Sequence, residues 1–141
     1  MSALEEATEL IRAHARHPVG RVDHDGDVLG RADLVTPTCG DRLELRVGGA
    51  ADRLRITWSG RGCEVSQGSA SLLVDELDGA EASELRARAE AFLGAMRERT
   101  PAAELGDEAA LLAVAANPVR SVCATLAWRA LLAALDDGDL R

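Results

Sequence analysis

Three cysteines and one aspartate are the side chains of this sequence most able to do chemistry. Cys39 and Asp41 lie in "TPTCGD", Cys63 in "GRGCEVSQGSASLL" and Cys123 in "NPVRSVCATLAW". Outside oxidising compartments, cysteines more often bind metals, act in catalysis or lie buried than form disulfides. Thiolates and a carboxylate can together bind a metal ion, and a thiolate is also a nucleophile. The function therefore depends on whether the fold brings these four side chains together.

The hairpin predicted after "TPTCGD" brings two of the cysteines close. Leu43, Leu45 and Val47 alternate with polar residues, as do Leu54, Ile56 and Trp58, and "GGAAD" between them supplies a turn. With the turn centred on residues 49–51, position 42 pairs with position 59, and Cys39 lies near Cys63. Gly40 permits a chain reversal tight enough for Asp41 to point the same way.

Cys123 lies on a predicted helix that has a clear face for packing. Asn117 is the predicted N-cap and Pro118 the first helical residue. Cys123 begins an apolar stripe with helical spacing that continues through residues 126, 127, 130, 131 and 134. Its position near the helix N-terminus favours a thiolate.

The remaining elements make the fold class α+β. A helix is predicted over residues 3–16, a strand over 31–35, a helix over 64–77 and a long helix after Gly79. A short helix over residues 108–114 is expected to be capped by Asp107. The predicted architecture is an N-terminal helix, a small three-stranded antiparallel sheet and several helices packed on it, in a single domain spanning residues 1–141.

Charge and composition exclude several classes of partner. The 141 residues carry a formal net charge of −8, and every one of the 16 basic residues is arginine. An acidic chain without an arginine-rich aromatic segment does not favour nucleic acid. The N-terminus is acidic and no apolar run of bilayer-spanning length is evident, so we predict a cytoplasmic protein with no membrane partner.

Three thiolates and a carboxylate form a complete tetrahedral ligand set for Zn²⁺. Such a set is rich in negative charge, which Arg61 or Arg120 could offset. A carboxylate is unusual in a purely structural zinc site and suggests that one ligand can leave. The residues alone leave a second interpretation open, in which all three cysteines are small buried apolar side chains.

The three cysteine motifs, in this order and at these separations, resemble the SufU family, relatives of the IscU scaffolds and of the NifU N-terminal domain. The initial helix with "HARHPVG" and the segment between the last two long helices are also similar to that family. The resemblance implies a zinc ion held by Cys39, Asp41, Cys63 and Cys123. IscU-type scaffolds have a histidine directly before the last cysteine, where this chain has Val122.

The resemblance implies a zinc-dependent sulfurtransferase that accepts persulfide sulfur from a cysteine desulfurase of the SufS type. It further implies that Cys39 is released from zinc to take the sulfur, which then passes to a SufBCD-type assembly complex for iron–sulfur clusters. Arg120, about one turn before Cys123, is our candidate for guiding the persulfide or pairing with Asp41.

Two other functions remain open from the sequence. One is a scaffold on which an iron–sulfur cluster is transiently assembled on the same thiolates. The other is a binding module in which zinc only stabilises the fold. His14, His17 and His24 are interpreted as surface or helix-end residues rather than a second metal site. Ser69, Ser71 and Trp128 are interpreted as packing residues.

Overall fold

The computed structural model describes residues 2–23, 26–37 and 40–141. The elements are α1 (Ala3–Arg16), β1 (Gly30–Val35), β2 (Arg42–Ala50), β3 (Arg53–Arg61), α2 (Glu64–Leu77), α3 (Ala82–Glu98), a 3-10 helix (Asp107–Val114) and α4 (Pro118–Asp137). The predicted α+β class is confirmed, with an N-terminal helix, a three-stranded antiparallel sheet and then the remaining helices.

The ends of α1 and α2 agree with the sequence pattern, and a side-chain cap defines the start of α1. Ser2 caps α1: its hydroxyl accepts a hydrogen bond from the Glu5 N–H, and the Glu5 side chain accepts one from the Ser2 N–H. Helix α2 begins directly after Cys63 and ends before Asp78. Both helices therefore start and stop where the sequence predicts.

The β2–β3 hairpin forms, but its register differs from the predicted one. Arg42 pairs with Arg61 rather than with residue 59, because Ala51 and Asp52 form the turn and β2 continues to Ala50. A shift of two residues keeps every side chain on its predicted face of the sheet. The apolar face, which includes Leu43, Leu45, Val47, Leu54, Ile56 and Trp58, is buried against the helices.

Helix α4 lies at the centre of the core. Nine of its residues are buried, and Trp128 stacks against Phe92 of α3 with ring centroids 4.5 Å apart. Its 20 residues are apolar enough to cross a membrane by length and composition. The expectation that no such segment exists was therefore wrong by that criterion, although half of the apolar stretch is buried inside the protein, as in the core helix of a globular fold.

The N-terminus of α4 is capped as predicted, whereas the cap of the 3-10 helix is not. The Asn117 side chain accepts hydrogen bonds from the N–H groups of Val119 and Arg120, and Pro118 is the first helical residue. Asp107 is the first residue of the 3-10 helix and not its cap. The Glu108 carboxylate instead accepts the Gly106 N–H and binds Arg88, which holds this helix against α3.

Candidate metal centre

Asp41 is positioned by the loop that precedes β2. The Thr36 N–H donates to the Asp41 carbonyl at 2.8 Å, and the Asp41 N–H donates to the Thr36 hydroxyl at 3.0 Å. Gly40 adopts φ +70°, a left-handed conformation that favours glycine, and its N–H donates to the Thr36 carbonyl. The loop thus closes on itself, and Asp41 is only 4% exposed.

Cys63 stands at the N-terminus of α2, directly after β3. It is the N-cap residue, with extended backbone geometry, but its side chain makes no capping hydrogen bond. Its N–H donates to the Asp41 carboxylate, with 3.3 Å between nitrogen and Oδ2. The register places Arg42 opposite Arg61, so the residues that follow outward, Asp41 and Gly62, are neighbours at this end of the sheet.

Cys123 reaches the same place from α4. It lies in the second turn of that helix and is 1% exposed. The Asn117 cap fixes where α4 begins, and the buried stripe that follows Cys123 fixes how the helix is rotated against the sheet and α2. The predicted docking face of this helix is therefore the face that is buried.

One ligand atom from each of Asp41, Cys63 and Cys123 lies within 4.8 Å of the other two. The sulfurs around one tetrahedral zinc ion lie roughly 3.8 Å apart, given Zn–S bonds of about 2.3 Å. Two thiols and a carboxylate at this spacing fit three of the four positions around such an ion. Cys39, the fourth predicted ligand, lies outside the described residues, two positions before Asp41 in the sequence.

The Asp41 carboxylate is electrostatically suited to stay ionised. Burial alone would raise its pKa. Hydrogen bonds from the Cys63 N–H and from the side chains of Ser66, Cys123 and Cys63 outweigh burial, so the pKa of Asp41 lies below its usual value. An ionised carboxylate at the N-terminus of a helix is also favoured by the helix dipole.

Three residues that support this centre were not predicted from the sequence. They are Thr36, Ser66 and Gly62. The Thr36 hydroxyl accepts the Asp41 N–H, and the Ser66 hydroxyl donates to the Cys63 carbonyl. A Cβ on Gly62 would lie 2.4 Å from the Ser66 hydroxyl and 2.7 Å from the Asp41 carboxyl carbon. Position 62 therefore has no room for a side chain. Ser66 could have been suspected from its place three residues after Cys63 in the first turn of a helix.

Arg120 and Arg61 are exposed close to the candidate ligands in sequence. Arg120 lies in the first turn of α4, and no ion pair joins it to Asp41 in the described part of the chain. The pairing predicted between these two side chains is not present. A role for Arg120 towards a persulfide stays a prediction.

Two of the three histidines lie in the described residues, both near the C-terminal end of α1. His14 Nδ1 lies 2.7 Å from the Ser71 hydroxyl, and His17 is the exposed C-cap of α1; His24 lies outside the described residues. A second group of possible ligands consists of Asp75, Glu76 and Asp107, with no histidine among them. Glu76 in that group is already paired with Arg88.

Residues 7–124 match the family model described as the NifU-like N terminal domain. The chain belongs to that family. The expected resemblance to the IscU and SufU type is confirmed, because two curated relatives carry those names.

The first relative is the iron–sulfur cluster assembly scaffold protein IscU of Streptococcus pyogenes serotype M1. It is 35% identical over 138 residues, covering 94% of this chain and 87% of the relative. The second is the zinc-dependent sulfurtransferase SufU of Bacillus subtilis (strain 168), 32% identical over 127 residues, covering 87% of this chain and 84% of the relative. The two names describe different activities at comparable identity.

The fold is shared with a solved structure. A NifU-like protein (N-terminal) from Brucella abortus superimposes with a TM-score of 0.84 at 18% identity, covering 98% of both chains. That identity supports the fold and no more.

Proposed function

We propose that this protein is a zinc-dependent sulfurtransferase that accepts persulfide sulfur from a cysteine desulfurase and relays it for iron–sulfur cluster assembly. The observation that carries the proposal is the convergence of Asp41, Cys63 and Cys123 at one end of the sheet. A carboxylate among thiols suits a metal site in which one thiolate can be exchanged. The relative named as a zinc-dependent sulfurtransferase supports the same activity.

Cys39, Asp41, Cys63 and Cys123 would hold the zinc ion. Bound there, zinc would keep thiols deprotonated at neutral pH while muting their nucleophilicity. Asp41 is suited to remain a ligand throughout, because the Cys63 N–H and the first turn of α2 hold its carboxylate in place. Cys63 and Cys123 are fixed by the ends of two packed helices. Cys39 is our candidate for the thiolate that leaves.

The transfer step balances without an added oxidant or reductant. The released Cys39 thiolate attacks the outer sulfur of the desulfurase persulfide. A new S–S bond forms on Cys39, the S–S bond of the desulfurase breaks, and its electron pair stays on the desulfurase cysteine as a thiolate. A SufS-type desulfurase is the proposed donor, a SufBCD-type complex the proposed recipient, and the cytoplasm the proposed location.

The alternative function is a scaffold for a transient iron–sulfur cluster. The relative named as a scaffold favours it. Position 122 opposes it, because Val122 supplies no ligand atom there and lines a surface groove with Leu93, Met96 and Thr125. Metal analysis distinguishes the two, since the proposal expects about one zinc ion per chain. Iron with visible-light absorption in the purified protein would favour the scaffold.

A coupled assay tests the transfer itself. Alanine formation by the desulfurase should rise when the zinc-loaded protein is added, and the Cys39→Ala variant should lose the rise. Arg120→Ala is compared with Arg129→Ala, because both arginines are exposed on α4. A rise that survives Cys39→Ala contradicts the proposal. An equal effect of the two arginine substitutions removes any specific role for Arg120.

A further inference from the structure

Ser66 is a buried polar residue whose contacts all lie at the candidate metal centre. It is the third residue of α2 and only 3% exposed. Its hydroxyl donates to the Cys63 carbonyl at 3.1 Å, and the Cys63 thiol donates to Ser66 Oγ at 3.9 Å. A Cβ on Gly62 would lie 2.4 Å from this hydroxyl and 2.9 Å from Asp41 Oδ2, so the hydroxyl and the carboxylate are close neighbours. Ser66 thus lies against two of the proposed ligands.

Ser66 and Asp41 are packed closely around Gly62. The Ser66 hydroxyl and the Asp41 carboxyl carbon both lie next to the point where a Gly62 Cβ would stand, at 2.4 Å and 2.7 Å from it. The absence of a side chain at position 62 is what lets Ser66 and Asp41 approach each other. A buried hydroxyl destabilises a fold unless it is hydrogen-bonded, so this position requires polar partners.

Metal binding changes what the Ser66 hydroxyl can do. A serine hydroxyl has one proton to donate and two lone pairs. The Cys63 thiol donates to Oγ. A cysteine bound to a metal would have lost that proton, so Cys63 and Asp41 would both be anionic acceptors, which form stronger hydrogen bonds than neutral groups do. The single Ser66 proton would then be available to one of these anions.

We propose that Ser66 is a positioning residue, whose hydroxyl orients the Asp41 carboxylate and the Cys63 sulfur towards one metal ion. The inference rests on the proposed metal site and adds to it a residue outside the four ligands. Groups that hydrogen-bond to metal ligands fix the orientation of those ligands, and removing one weakens metal affinity by about 10- to 100-fold. A purely local role, in which Ser66 only satisfies the Cys63 carbonyl, predicts no such loss.

The test is the zinc affinity of the full chain, measured by competition with a chromophoric chelator. Ser66→Ala is expected to raise the zinc dissociation constant by about 10- to 100-fold. The Co²⁺-substituted variant should also show a shifted visible spectrum. Ser66→Thr keeps the hydroxyl and should restore both properties. The unfolding midpoint of each metal-free variant shows whether the fold survives the substitution.

Ser71→Ala is the matched control, because Ser71 is a fully buried serine on the same helix. Its hydroxyl accepts the Val19 N–H and contacts His14, away from the candidate ligands. The Ser71→Ala variant should bind zinc with the affinity of the wild type. An affinity of Ser66→Ala within two-fold of wild type, an equal loss in Ser71→Ala, or a loss in Ser66→Thr as large as in Ser66→Ala overturns the inference. A wild-type chain that binds no zinc overturns the proposed function as well.

Discussion

The carboxylate of Asp41 connects the sheet to α2 at the candidate metal centre. Its backbone is fixed by two hydrogen bonds to Thr36, and its side chain accepts the Cys63 N–H. This bond ties Asp41 to the N-cap residue of α2, whose own side chain makes no capping bond. Asp41 is therefore held by protein contacts on both its backbone and its carboxylate, which suits it to be the ligand that stays.

Substitution of Gly62 tests how closely the parts of the centre are packed. In Gly62→Ala the new methyl group would overlap the Ser66 hydroxyl and the Asp41 carboxylate, so one of them must move. We expect zinc affinity to fall about ten-fold or more, by analogy with the loss of a group that orients metal ligands. Chelator competition measures the change.

Gly94→Ala is the control for this prediction. A Cβ on Gly94 would meet nothing closer than 3.7 Å, and alanine is the better helix former by about 1 kcal/mol. That variant should keep its zinc affinity and unfold at an equal or higher temperature. Unchanged zinc affinity in Gly62→Ala would show that the centre has more room than the structure indicates.

At the scale of elements, the centre is assembled where three chain segments end or begin. The loop before β2, the junction between β3 and α2, and the second turn of α4 each contribute one of its described residues. Strand pairing brings the first two together, and the packing of α4 on the sheet brings the third. The position of these ligands therefore depends on β-strand pairing at this end of the sheet.

The ion pair between Asp33 of β1 and Arg42 of β2 makes one such pairing sensitive to pH. Arg42 Nε and Nη2 lie 3.0 Å and 2.6 Å from the two carboxylate oxygens. The hydrogen bond from Arg42 holds the pKa of Asp33 below its usual value despite a smaller opposing effect of burial. A lowered pKa in the folded state means that the carboxylate stabilises the fold when ionised.

Asp33→Asn should therefore lower the free energy of unfolding at neutral pH by a small amount, because the pair is exposed. The difference in unfolding free energy between wild type and Asp33→Asn should reach its full size above about pH 3.9, the usual pKa of an unfolded aspartate. It should vanish as the pH falls through the lower pKa that Asp33 has in the folded state. Urea unfolding at a series of pH values measures it. Asp52→Asn, in the exposed hairpin turn, is the control; an equal, pH-independent effect of both substitutions would refute a role for the pair.

The sequence predicted those elements whose ends are marked by local chemistry. Ser2 and Glu5 mark the start of α1, and Asn117 with Pro118 marks the start of α4. The hairpin was placed correctly, but its register was two residues off, because the small residues of "GGAAD" allow several turns with the same alternation. Pattern alone specifies which face a strand residue occupies and not its exact partner.

Part of the site was also predictable, and part was not. The proximity of the sheet end to Cys63 followed from the hairpin, while the approach of Cys123 depended on tertiary packing that spacing cannot reveal. The roles of Ser66 and Thr36 were missed because an isolated serine or threonine has many uses in helices and loops. Arg46 was expected on the polar face, yet it is 2% exposed, since its guanidinium bonds Glu44, Thr57, Ser59 and the Val22 carbonyl.

Across the whole molecule, charge is unevenly distributed around the candidate centre. The three strands carry six arginines and two carboxylates, although the chain has a formal net charge of −8. Arg42 and Arg61 are directly paired at the end of the sheet, next to Asp41 and Gly62. Like charges placed opposite each other are destabilising in isolation. Arg42 is already paired with Asp33, so Arg61 is the one of the two that could offset the charge of an anionic ligand set, and that role stays a prediction.

The most direct measurement of the central proposal is the mass of each cysteine-containing peptide after one round of sulfur transfer. The zinc-loaded protein is incubated with a cysteine desulfurase and cysteine without reductant, then alkylated and digested. One added sulfur atom is expected on the peptide containing Cys39, and none on those containing Cys63 or Cys123. Absence of added sulfur on Cys39, with the desulfurase itself carrying a persulfide, would contradict it.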